Sequence, residues 1–178
     1  MVNLIESPPR TIMEVYRSLP EGTLAELIDG ILYMSPAPKF NHQSLLLKLS
    51  RKLCDEIIDK AKGEVIVAPF DVYLDEHSNA VQPDIVVVLN ANDHILDREG
   101  SIHGVPDLLV EILSKGNSKH DTVRKLELYE RFGVKEYWIV DPKTTEAFVY
   151  RLVNGKYRVY SEAIATINSN LLGISFKL

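Results

Sequence analysis

The sequence predicts an α/β (α+β) fold, a mixed β-sheet flanked by helices with an αβββαβ core and a C-terminal β-hairpin. Three observations carry this reading. The stretch 82–89 (QPDIVVVL) is almost continuous valine and isoleucine, the mark of a strand covered on both faces. Between residues 42 and 141 helical and strand periods succeed one another as α-β-β-β-α-β. Asn154-Gly155, set between two apolar runs, is a strong signal for a two-residue hairpin turn.

Taken in order, a short helix near Thr11–Ser18 is closed by Leu19-Pro20. Residues 24–34 (LAELIDGILYM) read as a strand pair or one bent strand, with Asp29-Gly30 as the natural turn and Pro36 and Pro38 ending it. Asn41 caps a long helix from about His42 to Lys62, whose leucines recur at helical spacing, and Gly63 ends it. Strands follow at 64–74 (EVIVAPFDVYL) and 82–89, then a loop from Asn90 to Pro106 rich in Asn, Asp, His and Gly. Strand 107–113 leads through a turn at Gly116-Asn117 into a helix over 119–132, stopped by Gly133. Strand 136–141 comes next. Strands 146–152 and 156–161 form the hairpin that extends one sheet edge, and a last strand covers 173–177. At 178 residues the chain is long enough to bury a substantial core as one domain, residues 1–178, with its core at about 24–153.

Composition excludes several classes. With 46% hydrophobic and 25% charged residues, the chain is neither disordered nor fibrous. No apolar run reaches membrane-spanning length, and the opening MVNLIESPPRTIMEV lacks the basic-then-apolar layout of a signal peptide. Cys54 is the one cysteine, so an intramolecular disulfide framework is excluded and a reducing, cytoplasmic setting is expected. The net charge of −5 weighs against tight non-specific binding to nucleic acid, though it permits a local basic patch. His77, His94, His103 and His120 lie singly, without zinc-ligand spacing, and the chain carries no glycine-rich phosphate loop or nucleophile elbow.

Against this background, three charges stand where the pattern calls for apolar residues. Asp84 opens the run PDIVVVL, Glu111 sits inside DLLVEIL, and Lys125 sits inside TVRKLELYERF. A buried charge is costly unless it is paired or binds a metal. On strand 107–113, Glu111 shares a face with Asp107, Leu109 and Leu113, while Leu108, Val110 and Ile112 take the other. Glu111 alone could be a rim residue in solvent, and Pro83-Asp84 alone a turn device. At about 100° per residue, Lys125 falls in the arc of Leu126, Leu128, Tyr129 and Phe132, which faces the sheet. It either snorkels to the edge or pairs with an acid, as a structural salt bridge or as a catalytic group. Glu26 shares a strand face with Leu24 and Ile28 and repeats the pattern, whereas His42, at a helix start, reads as solvent-facing. Two acids on neighbouring strands and a lysine on the next helix could hold a divalent cation and steer a water at a phosphodiester.

The stretch from QPDIVVVL through GVPDLLVEILSKGNSKHDTVRKLELYERFGVKEYWIVDP resembles the Uma2 family (DUF820), a family grouped with restriction endonucleases. ELIDGILYMSPAP and the following Asn41-His42-Gln43 match the opening of that family, and the resemblance covers roughly residues 10–155. It implies a PD-(D/E)XK nuclease core, restriction-endonuclease-like, of the order read above. Pro83-Asp84 corresponds to the PD pair and Glu111 to the acid of the (D/E)XK element. The lysine of that element would fall at Leu113 and is absent; in related families it has moved to the following helix, the place of Lys125. Glu26 resembles the additional N-terminal acid of such sites. The implied chemistry is hydrolysis of DNA with Mg²⁺ (or Mn²⁺) held by Asp84, Glu111 and the carbonyl of Ile112. Lys115, Lys119, His120 and Arg124 form a basic cluster suited to phosphate contacts. A homodimer is expected from the resemblance and from the hairpin edge. Two other readings remain: a non-catalytic nucleic-acid-binding or dimeric interaction module that keeps the fold, and a buried structural ion cluster.

Overall fold

The computed structural model describes residues 8–98, 100–114 and 119–178, with the side chains of residues 119–121 outside that description. The first half comprises α1 (Ile12–Arg17), β1 (Ala25–Ile28), β2 (Ile31–Met34), α2 (Phe40–Ile57), β3 (Gly63–Val67), β4 (Val72–Tyr73), β5 (Ala80–Val81) and β6 (Ile85–Leu89). After a 3-10 turn at Asn90–Ile95 come β7 (Ile102–His103), β8 (Leu108–Ile112), α3 (Lys119–Phe132), β9 (Glu136–Val140), β10 (Glu146–Val153), β11 (Lys156–Ile164), β12 (Thr166–Ser169) and β13 (Ile174–Lys177).

Alternating apolar residues build the main sheet, six strands in the order β11-β10-β9-β8-β6-β3. Only β8 and β9 run parallel within it, because α3 carries the chain from one to the other. Ile85 and Val87 of β6, with Leu108, Val110 and Ile112 of β8, meet Leu45, Leu49, Leu53 and Ile57 of α2 on one face. Val86, Val88, Leu109, Tyr137 and Ile139 take the opposite face, against Leu128 and Tyr129 of α3. Both faces of β6 are covered, as its unbroken apolar run predicts. The series α2-β3-β6-β8-α3-β9 is the expected αβββαβ core, and β10–β11 extends its edge.

A second sheet, β2-β1-β5-β4-β7, is built from β1 and β2 ahead of the core and from β4, β5 and β7 inserted within it, and packs on the α3 side. The β1–β2 hairpin turns at Asp29-Gly30, both at positive φ (50° and 75°), the conformation a tight two-residue turn requires. Ahead of it, Thr11 and Glu14 form a capping box that starts α1, and Met13 and Tyr16 then pack against Ala25 and Leu27.

Four expectations are corrected. The stretch 64–74 is two strands in different sheets, because Pro69 lacks the N–H that a continuous ladder would use. The strand expected over 82–89 starts only at Ile85, and Gln82, Pro83 and Asp84 form the connection between β5 and β6, with a bend at Asp84. Helix α2 starts at Phe40 with Lys39 at the N-cap position, so Asn41 lies inside its first turn, and the helix ends at Ile57. Gly63 opens β3 rather than closing the helix. Strand β12, which had no counterpart in the sequence reading, pairs with β13. Among the described residues no helix is long and apolar enough to cross a membrane.

Candidate active site

Strand register brings Asp84 to β8. Strands β6 and β8 pair from Ile85↔Val110 onward, so β8 runs on past the start of β6 and the amide of Ile112 has no ladder partner there. The Asp84 side chain takes that place: Oδ2 accepts the Ile112 N–H at 2.7 Å. The N–H and C=O of one strand residue leave on the same side, so the Ile112 carbonyl also faces this gap, where it lies beside the His42 ring.

One residue earlier, Glu111 points to the α3 face. Its Oε1 accepts the Lys125 ammonium at 2.7 Å and the Tyr129 hydroxyl at 3.0 Å. Lys125 and Tyr129, one turn apart, present both donors from the same side of α3. Lys125 Nζ also lies 2.9 Å from Glu26 Oε1, so the second sheet contributes an acid through β1. Glu26 in turn accepts the backbone N–H of Gln82 at 2.9 Å. Asp84, Glu111, Lys125 and Glu26 are therefore neighbours, drawn from the β5–β6 bend, β8, α3 and β1. Glu111, with 6% of its surface exposed, is no rim residue, and Lys125 pairs inward instead of snorkelling.

Electrostatics follow from crowding. Burial pushes the Glu111 carboxyl up to about 7, Lys125 opposes this, and Glu26 and Asp84 reinforce it. Burial works against charge on Lys125, but Glu111 and Glu26 outweigh it and hold the ammonium above its ordinary range. Glu111 and Glu26 thus share one lysine, while Asp84 pairs with His42 and the Ile112 amide. Asp84, Glu111 and the Ile112 carbonyl offer only oxygen donors, the set a hard divalent cation prefers. Among the described residues no three acidic, histidine or cysteine side chains already converge as a metal cluster, and Lys125 lies between Glu26 and Glu111.

His42 was read as solvent-facing and is not. It is 8% exposed, its Nε2 lies 3.1 Å from Asp84 Oδ2, and that hydrogen bond raises its pKa against the opposing effect of burial. The wheel that placed Lys125 would have found it, because His42 shares the buried arc of α2 with Leu46, Leu49 and Leu53. Tyr129 read as core from its arc, and its hydroxyl left no separate signal. Gln82 gave none, since its backbone makes the contact with Glu26. Leu113 is a partly buried apolar residue of the α3-side core. Of the expected phosphate-contacting cluster, Lys115 and the side chains of Lys119 and His120 lie outside the described residues. The guanidinium of Arg124 sits over the Tyr33 ring, 4.4 Å from its centre.

The chain is similar to a solved structure from Anabaena variabilis ATCC 29413, described as "a putative nuclease belonging to DUF820". The two share 20% identity over 95% of each chain with a TM-score of 0.75, a likeness of fold. No curated protein matches the chain. The model of the Uma2 family, described as "Putative restriction endonuclease", matches residues 13–175. A match over that span, on a fold with the αβββαβ core, means that this chain belongs to the Uma2 family.

Proposed function

We propose that this protein is a metal-dependent endonuclease that hydrolyses DNA phosphodiester bonds. The observation that carries the reading is the lysine: Lys125 reaches Glu111 at 2.7 Å from a neighbouring helix, although position 113, just past the end of β8, is leucine. Asp84, Glu111 and the Ile112 carbonyl would hold Mg²⁺, with Mn²⁺ as an alternative. When bound, the ion would acidify a water and neutralise charge developing on the phosphate. Lys125 is suited to orient that water or to contact the scissile phosphate, and Glu26 holds the ammonium in place. Tyr129 fixes the Glu111 carboxylate by donating to the oxygen that Lys125 also meets. DNA is then the partner, and a homodimer in the cytoplasm the expected setting.

The test is cleavage of supercoiled and linear DNA by purified protein with Mg²⁺ or Mn²⁺. Asp84→Ala, Glu111→Ala and Lys125→Ala should each abolish cleavage, and wild-type protein no more active than all three variants would sink the proposal. One observation favours a second reading, an inactive nucleic-acid-binding or interaction module. Glu111 already engages Lys125 and Tyr129, and Asp84 already engages His42 and the Ile112 amide. That reading expects DNA binding without cleavage in wild type and variants alike.

A further inference from the structure

Resting on the metal-dependent reading of the site, we propose that His42 is a positioning residue: through its Nε2 hydrogen bond it holds the Asp84 carboxylate in the orientation that receives the cation. Two donors converge on one oxygen of Asp84, the imidazole at 3.1 Å and the Ile112 amide at 2.7 Å. The amide sets where Oδ2 lies. The imidazole, approaching from α2, adds a second direction, and together they restrict rotation of the carboxylate.

Packing alone does not account for an imidazole at this position. The other buried residues of α2 are Leu45, Leu46, Leu49, Leu53 and Ile57, so a leucine would continue the apolar face. His42 Nδ1 is buried with no hydrogen-bond partner among the described residues, which most buried polar atoms avoid. The first turn of a helix also disfavours a cation, and α2 carries no acidic residue there to offset one. Each of these features works against histidine, and the Asp84 contact is the largest of the interactions that offset them, with Glu111 and the Ile112 backbone adding to it. Groups that orient metal-ligating side chains characteristically act in this indirect way.

The experiment measures Mn²⁺ affinity calorimetrically on the full chain without DNA, with the metal-free melting temperature confirming that each variant is folded. His42→Leu fills the space without a donor, and His42→Asn carries an amide too short to reach Asp84. His42→Gln places an amide donor near the original nitrogen. Both non-donors should bind Mn²⁺ about 10–100-fold more weakly than wild type, and His42→Gln should recover most of that loss. A folded His42→Leu or His42→Asn with wild-type affinity overturns the assignment while leaving the nuclease reading intact. A His42→Gln variant as weak as His42→Leu overturns the hydrogen-bond role. Wild-type protein that binds no Mn²⁺ overturns the metal-dependent reading, and this assignment with it.

Discussion

Glu111 shows how much one residue carries here. Its carboxyl is pushed from 4.5 up to about 7 by burial first, with Lys125 opposing and Glu26 and Asp84 adding to the rise. Between those values the folded protein keeps a proton that the unfolded chain has released, so this group's contribution to stability is lost as pH rises through about 7. The urea midpoint of metal-free protein should therefore carry a falling component across that window, and Glu111→Gln should remove it. Identical profiles for variant and wild type would contradict the assigned burial. Divalent metal competes with the same proton, so Mg²⁺ should raise the melting temperature more at pH 8 than at pH 5, about one unit or more either side of the transition. Sequence made part of this residue-scale picture legible. Lys125 could be placed on the sheet-facing arc of its helix, and Glu111 on one strand face with Asp107, Leu109 and Leu113, but which element covers that face was not legible. The joining of Lys125 to both Glu111 and Glu26 could not be read, because two charges signal their pairing only through distance.

At the scale of elements, helix α3 has the bounds that periodicity and Gly133 predict, and the two-residue turns at Asp29-Gly30 and Asn154-Gly155 lie where their left-handed preferences put them. The failures lie at Asn41 and along 64–74. An asparagine near a helix start is a cap only if the chain enters the helix there, and Phe40 already belongs to the helix. A run of β-forming residues says nothing about which sheet each half joins. Gly63 has a reason that the sequence hid: a Cβ there would lie 2.1 Å from the carbonyl oxygen of Val88 on the paired strand. Gly63→Ala should force β3 away from β6 and destabilise the protein by about 1–3 kcal/mol. Chemical denaturation measures this, and an unchanged midpoint would show that the edge strand moves freely enough to absorb the methyl group.

Across the whole molecule, another buried acid, Glu136, ties the C-terminal segment to the main sheet. Glu136 is fully buried and accepts from Trp138 Nε1 (2.8 Å), the Ser169 hydroxyl (2.5 Å) and the amides of Asn170 and Leu171 (3.2 and 3.0 Å). Ile167 and Phe176 of the terminal hairpin then pack on the α2-side core beside Trp138. Glu136→Ala should cost about 1–3 kcal/mol for each buried group left unpaired. Hydrogen exchange should accelerate first at residues 169–172, and uniform protection there would argue against the tie. By itself the sequence determined the order of the core, the strand covered on both faces, the hairpin turns and the sheet-facing arc on which Lys125 lies. Each of these depends on residues a few positions apart, where period and turn preference act directly. Only the tertiary structure decided that a second sheet delivers Glu26, that Asp84 stands in for a missing strand partner at Ile112, and that His42 is buried against it. Those outcomes depend on where strands stop and which surfaces meet, and they are set by packing between segments far apart in the chain.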